Sequence, residues 1–216
     1  MGSYTGLVNA QNAGATGVKP GAKNPPSAAG RESTILVVGD SLSAEYGLRR
    51  GSGWVALLDQ QLAADRSRTQ VVNASISGDT TSGGRSRLGA LLAQHKPAVV
   101  VIELGANDAL RGLPLGMTED NLNQMTQSAQ KAGAKVLLVG MQMPPNYGAD
   151  YGNRFAGLFD KVARANKAAL VPFLLKGVAD SADAGKLFQN DRLHPKEEAH
   201  PAMLANVLPE LRKLLK

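Results

Sequence analysis

The chain has 216 residues, 43% of them hydrophobic and 19% charged, with a formal net charge of +6, which fits one globular domain and leaves too little chain for two. No apolar run approaches the roughly 18 residues that a membrane helix needs, and no basic run accompanies the positive charge, so we predict no transmembrane segment and no nucleic-acid partner. The absence of cysteine excludes disulfide scaffolds, thiolate nucleophiles and cysteine-ligated zinc.

The first part of the chain differs from the rest in composition. Residues 1–33 are rich in Gly, Ala, Asn and Pro and show no sustained period of 2 or 3.6 residues. Such a segment buries too little apolar surface to offset the cost of ordering it. We therefore predict a flexible N-terminal tail or linker over residues 1–33 and one domain over residues 34–216.

Short strands alternate with helices through that domain. Apolar, β-branched runs predict strands over Thr34–Val38, Gln70–Asn73, Ala98–Leu104, Lys135–Val139 and Ala169–Leu174. Helical spacing of apolar residues predicts helices over Trp54–Ala64, Arg85–Gln94, Asp120–Ala132 and Arg154–Lys167. A last helix is expected from Pro201 to near Leu215, with a kink at Pro209. This order predicts an α/β fold with three αβα layers, a flavodoxin-like doubly wound sheet of about five parallel strands, whose ligands bind beyond the carboxyl ends of the strands.

The first predicted strand runs directly into Gly39–Ser43, a short loop with a serine at its centre. A serine immediately beyond a buried strand can present its hydroxyl at the edge of the sheet, with free backbone N–H groups around it. Ser41 is therefore a candidate nucleophile. Serine and aspartate also favour helix N-caps, so a capping role for Ser41 is the alternative.

The loops after the next two strands carry candidate oxyanion donors. Gly78 follows the second strand, and glycine lets another group approach its N–H closely. Asn107 follows the third strand and has a side-chain amide that can donate a hydrogen bond into the same crevice. Both are also common turn residues, so neither specifies a function alone.

Three histidines occur, and only one has a carboxylate placed to support catalysis. Asp191 and His194 are three positions apart in a turn, where the carboxylate can accept the Nδ1 proton and leave Nε2 to take a proton from serine. His95 lies at a polar helix end and His200 precedes Pro201, so both are interpreted as structural. A metal site built on Asp191 and His194 is the alternative, although no third ligand is apparent.

Four blocks of this sequence resemble the SGNH or GDSL hydrolases. They occur in the family's order, at predicted strand ends: Gly39–Ser43, Gly78, Gly105–Asp108 and Asp191–His194. A narrower likeness, to the thioesterase I, lysophospholipase and arylesterase subgroup, covers residues 34–216. Glu45 stands where many members have glycine, and Ala106 stands where several have a second glycine.

The resemblance implies a serine esterase or thioesterase that works through an acyl-serine intermediate. Its catalytic residues would be Ser41, His194 and Asp191, and its oxyanion hole would be formed by Ser41, Gly78 and Asn107. This chemistry is complete with side chains and water, so no cofactor and no metal are predicted. The resemblance also implies a periplasmic or secreted bacterial protein, expected to be a monomer. Because the sequence lacks a signal peptide, a cytoplasmic location is the alternative.

Apolar residues after the third and fourth strands are candidates for binding an acyl chain. They are Leu110, Leu113, Met143 and Tyr147. Ligand pockets are mostly apolar with few polar groups, although core packing explains each of these residues equally well. The expected substrates are fatty acyl, aryl or lysophospholipid esters, or acyl thioesters.

Two other functions are compatible with the sequence. The same triad can remove acetyl groups from carbohydrates or transfer acyl groups to alcohols instead of water. Alternatively, a non-catalytic flavodoxin-like domain can bind an anion in the glycine-rich loop Gly78–Gly84, with Ser41 as a helix cap. That loop lacks the lysine of a P-loop, and this alternative leaves Asn107 and His194 without a role.

Overall fold

A parallel sheet forms the centre of the computed structural model, which describes residues 33–216. Its strands are β1 Ser33–Gly39, β2 Thr69–Asn73, β3 Val99–Glu103, β4 Lys135–Val139 and β5 Ala169–Val171. They lie in the order β2-β1-β3-β4-β5, and all pairs are parallel. This is the flavodoxin-like doubly wound order, which confirms the predicted fold class. The predicted N-terminal tail, apart from its last residue, lies outside the described residues.

Helices cover both faces of the sheet. They are α1 Trp54–Ala64, α2 Thr81–His95, α3 Ala106–Leu110, α4 Leu115–Lys131, α5 Ala149–Asn166, α6 Ala184–Leu187 and α7 His200–Leu214. On one face α1 packs against α7, and on the other α4 packs between α2 and α5. No helix among residues 33–216 is long and apolar enough to cross a bilayer.

The sheet is buried from both sides, which explains why its strands are continuously apolar rather than alternating. Every residue of β3 is buried, and so are Trp54 of α1 and Phe155 and Phe159 of α5. The one charged residue in β3 is Glu103, at its end. The core thus extends to the edge of the sheet where the candidate catalytic loops begin.

Several element boundaries differ from the prediction. Helix α2 begins at Thr81 rather than Arg85, because the Thr80 side chain caps it by accepting a hydrogen bond from the Gly83 N–H. Strand β5 ends at Val171 because Pro172 has no N–H to donate to the sheet. The short helices α3 and α6 were not predicted, and α7 contains Pro209 within its length.

Candidate active site

Ser41 lies in a tight turn at the carboxyl end of β1. The carbonyl of Asp40 accepts hydrogen bonds from the N–H groups of Ser43 and Ala44, at 3.2 and 2.9 Å. The Asp40 carboxylate accepts another from the Leu42 N–H at 3.0 Å. Residues 41–47 form turns and no helix, so Ser41 does not have the helix-capping role considered as its alternative. Its hydroxyl is therefore held at the sheet edge by the backbone around Asp40.

His194 is positioned by a compact loop that folds around Asp191. Asp191 Oδ1 accepts hydrogen bonds from the N–H groups of Leu193 and His194, at 2.9 and 3.0 Å. Asp191 Oδ2 lies 2.7 Å from His194 Nδ1. Burial raises the pKa of Asp191, but the hydrogen bonds from the His194 and Leu193 N–H groups outweigh it and lower that pKa to about 2. Asp191 is thus ionised across the neutral pH range.

The candidate nucleophile and the candidate base meet across the sheet edge. His194 Nε2 lies 2.8 Å from Ser41 Oγ, although the two residues are 153 positions apart in the chain. With the Asp191 carboxylate on Nδ1, a neutral imidazole keeps its proton there and presents a lone pair at Nε2. This arrangement can take a proton from the Ser41 hydroxyl and return it to a leaving group.

Gln189, which the sequence analysis did not identify, joins the loop of Ser41 to the loop of His194. Its side-chain amide donates to the Tyr46 carbonyl at 3.0 Å and to the Pro195 carbonyl at 3.1 Å. The Tyr46 ring packs on the His194 ring, with centroids 4.4 Å apart. The position of His194 relative to Ser41 therefore depends on contacts between residues far apart in sequence. A single glutamine in a sequence does not indicate such contacts.

Glu45 supports the same loop from the side of α1. Its carboxylate accepts hydrogen bonds from the N–H groups of Gly51 and Gly53. Its backbone φ is +59°, in the left-handed region that glycine adopts most easily. Residue 45 therefore has a backbone conformation that glycine would adopt without strain.

Asn107 enters the site from the first turn of α3. Gly105 has a φ of +125°, which few other residues adopt, and this turn directs the chain from β3 into the helix. Asn107 Nδ2 donates a hydrogen bond to Asp40 Oδ2 at 3.1 Å. One amide hydrogen is used in this contact, so the other can be directed at a bound substrate.

Gly78 lies in the loop after β2, which is fastened to the end of β1. The Ile76 N–H donates to the Gly39 carbonyl at 3.0 Å. The carbonyl of Gly78 accepts a hydrogen bond from the Arg111 guanidinium at 2.7 Å, and its φ is +79°. Arg111 thus orients this peptide unit. Because β1 lies between β2 and β3, the loops that carry Ser41, Gly78 and Asn107 follow three adjacent strands.

Asp40 connects the turn of Ser41 to Asn107 and is almost completely buried, with 1% of its surface exposed. Burial raises the pKa of Asp40 to about 6, against the opposing effects of the Leu42 N–H, the His194 charge and the Asn107 amide. Above pH 6 the ionised form predominates. Asp40 then gives Asn107 a charged acceptor, which makes the stronger hydrogen bond.

The glycine-rich loop 78–84 does not form the anion cradle considered above. The Asp108 carboxylate accepts hydrogen bonds from both the N–H and the hydroxyl of Thr81, at the start of α2. The Asp79 carboxylate accepts from the Thr80 N–H and pairs with Arg87 at 2.8 Å. The N–H groups of Thr81 and Gly83 at this helix N-terminus are therefore used by side chains of the chain itself, which contradicts the anion-binding alternative.

The other two histidines make their contacts away from Ser41 and His194. His200 is the first residue of α7, and its Nδ1 accepts a hydrogen bond from the Trp54 N–H at 3.0 Å. Burial lowers the pKa of His200, so its neutral form is favoured. His95 is the last residue of α2. Both positions agree with the structural interpretation made from the sequence.

The candidate acyl-binding residues lie on two neighbouring segments. Leu110 ends α3, Leu113 follows it, and both are half-buried. Met143 is half-buried against the core, whereas the Tyr147 side chain is 39% exposed. Tyr151 in α5 donates its hydroxyl to the Ala109 carbonyl at 3.2 Å, linking the two segments. A role for these residues in substrate binding stays a prediction.

Known proteins are similar to this chain in both sequence and fold. The GDSL-like lipase/acylhydrolase family model matches residues 37–202, a range that contains every candidate catalytic residue. Esterase TesA of Pseudomonas aeruginosa is 52% identical over 182 residues, 84% of this chain and 89% of that protein. Thioesterase 1/protease 1/lysophospholipase L1 of Escherichia coli K12 is 40% identical over 182 residues, 84% of this chain and 85% of that protein. A crystal structure of TesA has a TM-score of 0.81 at 52% identity, covering 84% of this chain and 99% of that one.

Proposed function

Because this chain belongs to the GDSL-like lipase/acylhydrolase family and is a carboxylic ester hydrolase, we propose that its reaction passes through an acyl group bound covalently to Ser41. The observation that carries this proposal is the unbroken series of hydrogen bonds from Asp191 through His194 to Ser41, at 2.7 and 2.8 Å. In this assignment Ser41 is the nucleophile, His194 is the general base and acid, and Asp191 orients the imidazole.

Acylation starts when Ser41 Oγ attacks the carbonyl carbon of the ester or thioester. His194 Nε2 accepts the hydroxyl proton as the new C–O bond forms, and the carbonyl oxygen becomes an oxyanion. The bond to the leaving group then breaks, and the imidazolium gives its proton to the departing alcohol or thiol. Asp191 stabilises the imidazolium throughout this half-reaction.

Deacylation repeats these steps with water as the nucleophile. His194 takes a proton from water while the water oxygen attacks the acyl-serine carbonyl carbon. The bond to Ser41 Oγ breaks, and the same proton returns to the serine as the free acid forms. The enzyme ends each turnover in its starting protonation state.

Three donors form the proposed oxyanion hole: the N–H groups of Ser41 and Gly78 and the side-chain amide of Asn107. Among residues 33–216 neither N–H donates to another residue of the chain, so both are available to a substrate. The Arg111 contact with the Gly78 carbonyl and the Asp40 contact with Asn107 restrain these donors in advance. Restrained donors stabilise charge that develops in the transition state without a cost for reorientation.

Asn107→Ala is expected to lower kcat by about 100- to 1000-fold, because it removes one oxyanion donor. The KM should change little, since this hydrogen bond strengthens mainly in the transition state. Steady-state hydrolysis of a p-nitrophenyl ester measures both constants. Asn206→Ala is the matched control, because the Asn206 amide donates to the carbonyls of Leu174 and Lys176, away from Ser41. A near-normal kcat for Asn107→Ala would remove this residue from the oxyanion hole.

We assign the substrates to esters and thioesters of single acyl chains, fatty acyl, aryl and lysophospholipid esters among them. The support is the apolar character of Leu110 and Leu113, at the end of the helix that carries Asn107 and just after it, and of Met143 after the fourth strand. It agrees with relatives named esterase and thioesterase 1/lysophospholipase L1. The test compares kcat/KM for p-nitrophenyl esters from acetyl to hexadecanoyl with values for the matching coenzyme A thioesters.

The profile of activity against chain length separates the possible substrates. A rise in kcat/KM with length, lost on replacing Leu110 and Leu113 with serine, supports an acyl groove at these residues. A flat profile or a strict preference for acetyl contradicts that groove and favours deacetylation. Product analysis with an added acceptor alcohol distinguishes hydrolysis from acyl transfer, since transfer gives a new ester in place of the free acid.

We further infer that the protein acts as a monomer in the periplasm or outside the cell. All proposed catalytic groups come from one chain, so the site needs no second copy. The location rests on the resemblance of the sequence to periplasmic enzymes. Light scattering of the purified protein tests the first inference, and fractionation of the source bacterium tests the second.

A further inference from the structure

A buried carboxyl group contacts the nucleophile turn. Glu103 ends β3 and pairs in register with Gly39 at the end of β1. Its side chain is fully buried. Glu103 Oε2 accepts hydrogen bonds from the Ser43 hydroxyl at 2.7 Å and from the Asp40 N–H at 3.4 Å. One carboxyl oxygen thus holds the residue before Ser41 and a residue just after it.

The hydrogen bond between Glu103 and Ser43 is tightly enclosed by neighbouring groups. A β-carbon on Gly39 would lie 2.9 Å from Glu103 Oε2 and 2.8 Å from the side chain of Ser43, so only glycine fits there. The Ser43 hydroxyl also accepts a hydrogen bond from Trp54 Nε1 at 3.2 Å. Because Ser43 and Trp54 are buried, the turn cannot replace a lost partner with bulk water.

No positively charged side chain among residues 33–216 pairs with Glu103. Among residues 33–216 its described partners are Ser43 and Asp40, and its Oε1 atom is buried without a hydrogen-bond partner. Burial, and then the charge of Asp40, raise the pKa of Glu103 well above its usual value. Asp40 in turn faces His194, Asp79 and the donors on Leu42 and Asn107. Of the two carboxyl groups, Asp40 therefore has the environment that supports a negative charge.

We propose that Glu103 is a positioning residue for the hydrolytic reaction: as a neutral carboxylic acid it fixes Asp40 and Ser43, and through them Ser41 and the Asn107 amide. This inference rests on the proposed function, since it assumes Ser41 as nucleophile and Asn107 as oxyanion donor. Neutral Glu103 leaves the charge on Asp40, where it can orient Asn107. A displacement of reacting groups by about 1 Å lowers rates by about 100-fold, so loss of this support should be visible in kcat.

The test compares two variants of Glu103 in the full chain. E103M keeps most of the side-chain volume but removes the acceptor, so the Ser43 hydroxyl and the Asp40 N–H lose their partner. We expect kcat for a p-nitrophenyl ester to fall by about 10- to 100-fold with little change in KM. E103Q restores a neutral side chain with an acceptor oxygen and is expected to recover most of the lost kcat.

Thr126→Val is the matched control, because it also deletes a buried polar contact, from the Thr126 hydroxyl to the Leu122 carbonyl within α4. It should lower the Tm without lowering kcat. If circular dichroism shows that E103M does not fold, Ser43→Ala replaces it, with an expected loss of about tenfold in kcat. If E103M or Ser43→Ala folds and has the wild-type kcat, the proposal is overturned. If Ser41→Ala stays active, the proposed function is overturned instead. Glu103 is unchanged in that variant, so the two failures are distinguishable.

The neutral state of Glu103 gives a second measurement. A carboxyl group that ionises near pH 4.5 when unfolded, but stays protonated when folded, costs stability as the pH rises above 4.5. Glutamine carries no such cost, so the Tm of E103Q should rise relative to wild type as the pH increases from 4.5 toward neutral. A Tm difference that is constant over this range would mean that Glu103 is ionised in the folded protein, and the neutral-acid proposal would fall.

Discussion

Replacing Ser41 with alanine is expected to lower kcat by about 10⁵- to 10⁶-fold, because the atom that forms the acyl-enzyme is removed. The stability of the fold should change little, since the Asp40 carbonyl and carboxylate hold the turn without the Ser41 hydroxyl. The measurement is hydrolysis of a p-nitrophenyl ester, with circular dichroism to verify folding. A fluorophosphonate probe should add one label to the wild type and none to the variant.

Ser86→Ala provides the control for that experiment. Ser86 lies on the exposed side of α2, where its hydroxyl donates to the Gly83 carbonyl at 2.7 Å. This variant should keep both the wild-type rate and the covalent labelling. Substantial hydrolysis by folded Ser41→Ala would mean that another group attacks the substrate, and the acyl-serine mechanism would have to be abandoned.

Asp191→Asn should lower kcat by about 10⁴-fold. The amide oxygen can still accept hydrogen bonds from the Leu193 and His194 N–H groups, as the carboxylate does now. The amide NH₂ would then face His194 Nδ1 as a donor. The neutral imidazole would have to carry its proton on Nε2, where it cannot accept the proton of Ser41.

The same substitution at Asp183 separates this effect from a general loss of charge. Asp183 also pairs with a residue three positions later, Lys186, at 2.7 Å, and it is exposed. Asp183→Asn should therefore keep full activity. If Asp191→Asn stays within tenfold of the wild type, the orientation of His194 depends on other contacts, and the Gln189 amide and the Tyr46 ring would be the next residues to replace.

The fold could be predicted because its strands are buried on both faces. A strand in that environment has a continuous apolar sequence, as in residues 99–102 and 136–139, and is easily distinguished from an amphipathic helix. Helix α3 was missed because five residues are too few to show helical spacing. The start of α2 was placed too late because Gly83 and Gly84 interrupt the helical pattern. Gly84 is needed there, since a β-carbon would lie 2.3 Å from the Leu104 side chain.

Ser41 and Asn107 could be proposed from the sequence because each lies in a short block directly after a strand. Asp191 and His194 could be proposed because they are three positions apart in a turn. Their supporting contacts could not, because these join distant parts of the chain. The contact of Gln189 with the Tyr46 carbonyl spans 143 positions, and that of Asn107 with Asp40 spans 67. Glu103 did carry a signal, since a lone carboxylate in an apolar strand is costly unless it has a particular role.

In the proposed mechanism, the 153 positions between Ser41 and His194 also determine when the protein can become active during its synthesis. The ribosome releases β1 to β4 before the loop with Asp191 and His194 exists, so most of the sheet can form on a chain that has no general base. In that mechanism hydrolysis must await the contact of residues 189–194 with the turn at Ser41. The nascent chain would therefore form most of its sheet before it could form an acyl-enzyme.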